Sequence, residues 1–320
     1  MRLAKIDDNI IGKRLGSSIS TIDGRKLVNG QIEITGKVIQ RLQSFGMNAL
    51  YIEDKNTDVE LKETVSDEQR GVILKRLNLV YEKISKESFC DEFEIGKILR
   101  QEIIPSINNE PVSIAVGQKT KGFDLAQHSL NLCLLVLVTG MKFGLSMDKI
   151  EMLGKAALFH DIGKLIKNDS NEGHEQKGYT FLKNKANSPM LYSLVRFHHE
   201  TIDGGGPQKL RNEHQTDLIK ILSLCDYYES LVSIDGLVPS ECYENIQALV
   251  NIKFDHQVYE AFRKSVYLYP VGLPIKLNNG EEGVVIRQNT AFPLRPFVRT
   301  DYKEYNLIEH LSLFIDKVIL

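Results

Sequence analysis

The sequence has little cysteine, no long apolar run and no excess of positive charge. Its four cysteines lie at 90, 133, 225 and 242 without CxxC spacing, which argues against a disulfide framework and predicts a reducing compartment. The longest apolar run, 130–138, is far shorter than the roughly 18 residues of a membrane helix. The first residues, MRLAKIDDNIIGK, carry charges where a signal peptide has its apolar core. We therefore expect a cytoplasmic protein without a membrane span.

The charge balance restricts the class of ligand. The net charge is −2 and the pI about 6.5, so no basic field is available to a nucleic-acid backbone, and long DNA or RNA is disfavoured as a partner. A small anionic ligand held by local positive charge or by metal remains compatible with this composition. The 320 residues, 42% of them apolar, suffice for one large globular domain and smaller ones.

The two ends of the chain have different textures. Residues 1–60 predict a small α+β module, because Asp-Gly and Asn-Gly pairs at 23–24 and 29–30 indicate hairpin turns. Thr35 is a candidate helix cap, and Gly46 a candidate helix end. Residues 266–320 predict a small β-rich tail, with β-branched residues around an Asn-Gly pair at 279–280.

The middle of the chain is predicted to be helical. Residues 61–114 are highly charged and predict a helical linker, for which a solvated amphipathic hairpin and a signalling connection are both open. Residues 115–265 contain successive segments with apolar residues at helical spacing. Without βαβ alternation or a Gly-rich phosphate loop, this region predicts an all-α bundle. The fold class is therefore mainly α.

Five of the eight histidines and three aspartates occupy helix ends or apolar helix faces of this bundle. A buried carboxylate is costly without a partner, and mixed imidazole and carboxylate ligands suit Fe, Mn, Zn or Ni. The absence of thiolates argues against structural zinc. The residues are Asp124, His128, His160, Asp161, His174, His198, His199 and Asp226.

Each element of this set has an alternative explanation. The i, i+4 pair Asp124 and His128 could form a local hydrogen bond, and adjacent histidines are often surface or capping residues. An aspartate on an apolar helix face, such as Asp226, often bonds to the backbone. The ordered combination within one bundle nevertheless predicts a metal site.

The motifs HDIGK (160–164) and HHETIDGGGP (198–207), followed by a helical aspartate, resemble the HD-GYP branch of the HD phosphohydrolase superfamily. The resemblance covers about 115–265, and the segment YPVGLPIKLNNGEEGVVIRQN resembles the β tail of many bacterial members. It implies an HD-type helical bundle with two or three divalent metal ions, iron or manganese. It also implies hydrolysis of a cyclic dinucleotide, chiefly cyclic di-GMP, or a related phosphoester.

The resemblance also assigns roles to residues. It implies that His128, His160, Asp161, His174, His198, His199 and Asp226 are metal ligands, with Asp124 in the place of an acid that binds a third metal. Asp161 would bridge two metals. Lys164 would bind a phosphate oxygen or assist the leaving group, which makes Asp161 and Lys164 the catalytic pair.

Three departures from the family pattern concern the substrate. The glycine loop, 203–208, reads DGGGPQ and lacks the family's tyrosine, and its three glycines predict a freer loop. The segment between HDIGK and His174, residues 165–173, is shorter than is common in the family. Asp235 stands where the family has a phosphate-binding arginine, which Lys209 and Arg211 could replace unless they are ordinary surface charges. The predicted substrate-binding residues are Lys164, Asp203, Gly204, Gly206, Lys209 and Arg211.

These observations favour a metal-dependent phosphodiesterase acting on a cyclic dinucleotide. The alternatives are a non-catalytic or altered-substrate signalling module, and an HD hydrolase acting on nucleotides. A homodimer or a signalling-protein partner is left open, because nothing in the N-terminal module identifies a ligand.

Overall fold

The structure, a computed structural model, describes residues 1–20, 26–53, 64–113, 124–167, 171–186, 188–289 and 292–319. It is mainly helical, with small sheets near both ends, as predicted. The helices are α1 Gly36–Ser44, α2 Asp67–Glu87, α3 Glu92–Lys97, α4 Leu125–Phe143, α5 Met147–Phe159, α6 His174–Lys185, α7 Pro189–Phe197, α8 Asp217–Ser233, α9 Pro239–Leu249 and α10 His256–Phe262. The strands are β1 Arg2–Lys5, β2 Ile19–Ser20, β3 Lys26–Val28, β4 Ala49–Ile52, β5 Pro274–Leu277, β6 Glu282–Arg287, β7 Phe297–Thr300, β8 Glu304–Asn306 and β9 Ile315–Val318.

The N-terminal residues form the predicted α+β module. β1 pairs with β4 and β2 with β3, both antiparallel, and α1 packs over a core of its own. The hydroxyl of Thr35 accepts a hydrogen bond from Val38 N (3.4 Å), so Thr35 is the predicted cap. Gly46 follows the helix with φ +82°, a conformation that glycine adopts without strain. The predicted Asp23-Gly24 turn lies outside the described residues.

The α2 and α3 helices pack closely against the bundle. Ile73, Leu77 and Val80 of α2 are buried in the same core as the following helices. The hydroxyl of Tyr81 donates to the Leu158 carbonyl in α5 (2.6 Å). Beyond α3 the chain continues through a π-helical segment, Ile98–Ile103, and a 3-10 turn, Ile104–Ser106. A solvated hairpin therefore does not describe this pair, although the predicted domain boundaries stay predictions.

The α4 helix lies at the centre of the bundle. Its residues 128–140 are all buried, because α5, α8 and α10 pack around it. The start of α4, the ends of α5 and α7 and the start of α6 meet at one end of the bundle, where histidine rings from these four helix ends lie 4.9–5.4 Å apart. None of the helices in the described part of the chain combines the length and apolar character that a membrane crossing requires.

The C-terminal residues form the predicted β-rich tail. It is an antiparallel sheet of order β8-β7-β6-β5-β9. The predicted Asn-Gly turn joins β5 to β6, with Gly280 at φ +92°. The N-terminal module and the β-rich tail are in contact, since Leu3 N donates to the Gly272 carbonyl (2.8 Å).

Candidate metal centre

Seven of the eight predicted metal ligands meet at the end of the bundle. His128 lies in the first turn of α4, and Asp226 lies in the middle of α8. His160 and Asp161 directly follow α5, His174 begins α6, and His198 and His199 directly follow α7. The helix ends predicted for these residues are therefore found in the structure.

The seven side chains form two groups in which one ligand atom from each member lies within 4.8 Å of the others. The inner group is completely buried and consists of His128, His160 and Asp226. The outer group contains two partly exposed histidines and consists of Asp161, His174, His198 and His199.

Asp161 lies between the inner and outer groups. Its Oδ1 is 3.0 Å from Nε2 of His174, in the outer group. Its Oδ2 is 3.4 Å from Nε2 of His160 and 3.7 Å from Nε2 of His128, both in the inner group. Each carboxylate oxygen thus faces one group, which is the arrangement that a bridging carboxylate requires.

Asp226 joins the two groups from the opposite helix. Its Oδ1 lies 3.3 Å from Nε2 of His128 and 3.5 Å from Nε2 of His160. Its Oδ2 lies 3.1 Å from Nδ1 of His199. The two aspartates therefore both span the centre.

Helix termini determine the orientation of two imidazoles. The last carbonyls of a helix have no partner within the helix, and here Nδ1 of His160 donates to the Ala157 carbonyl and Nδ1 of His198 to the Val195 carbonyl (2.7 Å each). Because a carbonyl can only accept, Nδ1 carries the proton in the neutral rings. Nε2 is then a free acceptor that points into the centre, as metal ligation requires.

Glu229 plays the corresponding part for His128. It lies one turn after Asp226 on the same face of α8 and is completely buried. Its Oε2 accepts from Nδ1 of His128. Its Oε1 accepts from Asn131 Nδ2 (3.0 Å) and the Ser233 hydroxyl (2.5 Å).

The pKa values of the aspartates favour their anionic forms. Burial alone would raise the pKa of Asp161, but His160 and His174 lower it well below the usual aspartate range. Burial acts in the same direction on Asp226, and His128 and His199 lower its pKa well below that range. Both carboxylates are thus available as anionic ligands.

The histidine pKa values reveal an unbalanced negative charge. Burial lowers the pKa of His128, but Glu229 and Asp226 together raise it to about 10. Burial, with His199 and His160, lowers the pKa of His198 well below its ordinary value. Without a cation the buried acids thus favour the protonated form of His128, whose Nε2 proton a bound cation would replace, while His198 stays neutral.

The residues present fit divalent cations. Oδ1 of Asp161 is buried and accepts no hydrogen bond, although a buried polar atom usually has a partner. Nε2 of His128 lies 2.9 Å from Nε2 of His160, and Nε2 of His174 lies 3.1 Å from Nε2 of His199. Cations between them would satisfy these facing imidazole nitrogens and carboxylates together, and mixed nitrogen and oxygen donors suit divalent transition metals.

Gly163 explains part of the HDIGK motif. A Cβ atom at this position would lie 1.9 Å from the His174 carbonyl oxygen. The turn after Asp161 therefore approaches the start of α6 so closely that only glycine fits, and this approach brings His174 next to Asp161. Residues 168–170 of the short connecting segment lie outside the described residues.

Asp124 does not join either group. It is the N-cap of α4, and its Oδ1 accepts from Ala126 N (3.1 Å) and Gln127 N (3.2 Å). Its carboxylate is thus directed at the helix backbone, so the structure gives no support to a third metal at Asp124. Lys164 is close to the centre, and its Nζ donates to Oδ2 of Asp161 (2.5 Å).

The glycine loop is anchored rather than free. Glu200 is buried, and its carboxylate accepts from Gln208 N (2.7 Å) and Leu210 N (2.6 Å). A Cβ on Gly206 would lie 2.6 Å from Oε1 of Glu200. The expectation of a freer loop is wrong, because a carboxylate from outside the loop ties down its far end.

The other predicted substrate residues occupy the surface of this loop. The carboxylate of Asp203 accepts from Gly205 N (2.9 Å) and the Thr201 hydroxyl (2.5 Å), so it shapes the loop. Gly204 has φ +74°, and Lys209 and Arg211 are exposed. Asp235 is exposed beyond the end of α8.

Sequence reasoning missed two acids around the centre. Glu229 has the contacts given above, and Oε1 of Glu175 lies 3.6 Å from Nδ1 of His174. The available signal was spacing: Glu229 is one turn from Asp226, and Glu175 follows a predicted ligand. Asn131, one turn after His128, carries the same signal. Glu200 follows His199 and was expected either to orient a histidine or to be a capping or solvent-facing acid; its carboxylate bonds to the glycine loop.

The chain is similar to known proteins over this region. Residues 125–231 match the HD domain family. The chain is 30% identical over 224 residues to "Cyclic di-GMP phosphodiesterase PA4108" of Pseudomonas aeruginosa, covering 63% of this chain and 54% of that protein. It is 27% identical over 133 residues to "Ribonuclease Y" of Treponema denticola, covering 40% of this chain and 25% of that protein. It therefore spans about half and a quarter of these relatives.

A solved structure shares the fold. The structure of "Bd1817, a HDG"Y"P protein from Bdellovibrio bacteriovorus" matches with a TM-score of 0.50 and 18% identity, over 81% of this chain and 98% of that one. At this identity the match establishes the fold alone. Together with the sequence matches it confirms the predicted resemblance to the HD-GYP branch.

Proposed function

The chain carries an HD domain, and from that premise we propose that it is a metal-dependent phosphohydrolase that hydrolyses the phosphodiester of a cyclic dinucleotide. The observation that carries this proposal is the position of Asp161, with one oxygen facing each ligand group. Such a carboxylate can hold two cations close together, which is the arrangement used for phosphodiester hydrolysis.

The cofactors in this proposal are two divalent ions, iron or manganese. When bound, such ions supply a hydroxide at neutral pH and neutralise charge on the phosphodiester. His128, His160 and Asp226 would hold one ion, and His174, His198 and His199 the other, with Asp161 shared.

Differences in exposure support entry of the substrate on the outer side. The side chains of His174 and His199 are 22% and 36% exposed, and Lys164 is 38% exposed, whereas His160 is fully buried. A phosphate group can therefore approach the outer group and Lys164 but not the inner group.

Lys164 is the cation best positioned to act on the ester. Its ammonium group contacts Asp161 and can also donate to a phosphate oxygen or to the departing oxygen. In the hydrolysis the water oxygen forms a bond to phosphorus and the bond from phosphorus to the ribose oxygen breaks. The departing oxygen takes up a proton, and Lys164 can stabilise it meanwhile.

Cyclic di-GMP is the first substrate to test, because the Pseudomonas aeruginosa relative is named for its hydrolysis. A second candidate is a linear phosphoester, such as a nucleotide or a linear dinucleotide. The observation favouring it is Asp235, an exposed acid where the family's phosphate-binding arginine is expected. A non-catalytic metal-binding module is the third outcome.

The test is hydrolysis by purified chain loaded with Mn²⁺ or, without oxygen, Fe²⁺. Cyclic di-GMP and the corresponding linear dinucleotide would be offered separately, the products separated by chromatography and the bound metal measured. The expected result is turnover of cyclic di-GMP by the wild-type chain. The substitutions His160→Ala and Asp161→Ala should abolish this turnover and lower the bound metal content. Turnover of only the linear dinucleotide would favour the second candidate, and metal without turnover the third.

A further inference from the structure

A chain of hydrogen bonds leads from α2 to the inner ligand group. Arg70 Nη1 in α2 donates to Oδ1 of Asn131 (3.0 Å), and Asn131 Nδ2 donates to Oε1 of Glu229 (3.0 Å). Oε2 of Glu229 then accepts from Nδ1 of His128. Three helices, α2, α4 and α8, contribute to this chain, and α2 lies outside the segment that matches the HD domain.

The donors and acceptors along this hydrogen-bond chain have a fixed order. A guanidinium group can only donate, so the side-chain oxygen of Asn131 must face Arg70. Gln127 Nε2 supports the same orientation by donating to that oxygen (2.9 Å). The Asn131 amide group must then donate to Glu229, whose ionised carboxylate can only accept.

The inner end of this hydrogen-bond chain, at Glu229, determines which nitrogen of His128 can bind metal. Because Glu229 only accepts, Nδ1 of His128 must carry a proton. In the neutral ring Nε2 is then unprotonated, and this nitrogen lies 3.3 Å from Asp226 and 2.9 Å from Nε2 of His160. His160 and His198 obtain the same orientation from unpaired carbonyls at the ends of their helices, but His128 lies in the first turn of its helix, where the carbonyls accept from the helix backbone.

We infer that Glu229 is a positioning residue for the metal centre and that Asn131 and Arg70 maintain its orientation, so that α2 helps to set the metal affinity of the inner group. This inference rests on the metal centre of the proposed function and not on the identity of its substrate. Partners that orient a ligating histidine typically contribute about 10- to 100-fold in metal affinity.

The variants change the hydrogen-bonded residues one at a time, from Glu229 beside His128 outward to Arg70. Glu229→Gln cannot satisfy all its partners, because its amide nitrogen must face either Asn131 or Nδ1 of His128, and both are donors. Glu229→Asp keeps two acceptors and is the conservative rescue. Asn131→Leu removes the middle link, Arg70→Leu the outer one, and Arg70→Lys retains a donor.

The experiment measures Mn²⁺ affinity on the full chain after chelation, by electron paramagnetic resonance of free Mn²⁺. Glu229→Gln should weaken binding by about 10- to 100-fold, Asn131→Leu by less, and Arg70→Leu by about 2- to 10-fold. Glu229→Asp and Arg70→Lys should recover part of each loss. Glu260→Gln, in a partly exposed pair with Arg263, is the matched control.

Separate readouts distinguish positioning from stability and from catalysis. Thermal unfolding monitors folding, and the visible absorption of bound Co²⁺ reports ligand geometry, which a loss of stability alone does not alter. Affinity in Glu229→Gln within twofold of Glu260→Gln overturns the inference. A wild-type chain that binds Mn²⁺ but hydrolyses no ester overturns the proposed function and leaves the inference standing. A wild-type chain without Mn²⁺ binding overturns both.

Discussion

The inner and outer ligand groups differ most in their exposure to solvent. The side chains of His128, His160 and Asp226 are at most 4% exposed, whereas His174 and His199 are 22% and 36% exposed. A buried group holds its geometry through the core around it, while an open group can exchange water and admit a phosphate. Under the proposed function, the inner group would therefore retain a cation and the outer group would meet the substrate.

The supports of the histidines differ within the outer group. In the inner group, His160 is oriented by a helix carbonyl and His128 by buried Glu229. In the outer group, a helix carbonyl orients His198, and Nδ1 of His199 lies 3.1 Å from Oδ2 of Asp226. The contact from Nδ1 of His174 to Glu175 is longer, at 3.6 Å, so His174 can adjust more easily when a ligand enters.

The largest expected effect is that of Asp161→Asn, which removes the carboxylate shared by both groups. The amide keeps the shape but offers one neutral oxygen, so both cations lose a ligand. We expect hydrolysis to fall by about 1,000-fold or more, as when other central active-site groups are removed. Product chromatography and metal analysis measure the two losses. Asp301→Asn, at an exposed bend, is the control, and full metal content in Asp161→Asn would contradict the bridging role.

A pair of single substitutions separates the inner group from the outer one. His199→Ala should weaken the binding of the ion in the outer group and leave the ion in the inner group in place. The loss in affinity should be at least the roughly 10- to 100-fold that a hydrogen-bond partner of a ligand contributes. His160→Ala should release the inner ion, and added metal should restore it poorly because the cavity is buried. Metal content at increasing Mn²⁺ is the measurement. Equal losses in both variants would show that the groups bind metal as one unit.

Metal removal should lower stability, because anionic Asp161, Asp226 and Glu229 then remain buried with less positive charge to balance them. Free Mn²⁺ at about 100 times its Kd should raise the free energy of unfolding by about 2.7 kcal/mol for one site. Thermal unfolding with Mn²⁺ and with chelator measures this change. His199→Ala should retain more of the Mn²⁺ effect than His160→Ala does, and the reverse order would reverse the assignment of the two groups.

The positions of most candidate ligands could be predicted from the sequence because these residues lie at helix ends. His160, His174 and His198 stand where an apolar helical pattern stops or starts, and the fold brings those ends together. Spacing alone did not determine the role of Asp124, which lies four residues before His128. As the N-cap of α4 it directs its carboxylate at Ala126 N and Gln127 N, and it belongs to neither ligand group.

Long-range partners could not be predicted in the same way. Glu229 is 101 residues from His128, and only the packing of α4 against α8 brings the two together. The glycine loop illustrates the same limit. Its composition predicts freedom, but the bonds from Gln208 N and Leu210 N to Glu200 depend on the fold of the whole loop.

The smallest expected effect concerns this loop, none of whose residues belongs to either ligand group. In Gly206→Ala the new Cβ would lie 2.6 Å from Oε1 and 2.7 Å from Cα of Glu200. The loop must shift, and the free energy of unfolding should fall by about 1–3 kcal/mol, as in other overpacked sites. Metal content should stay unchanged, while KM should rise if the loop holds Lys209 and Arg211 near the phosphate. Steady-state kinetics and chemical unfolding measure both, with Gly36→Ala, which has open space around its Cβ, as the control. A loss of stability with unchanged KM would restrict the loop to a scaffolding role and leave substrate recognition to Lys164.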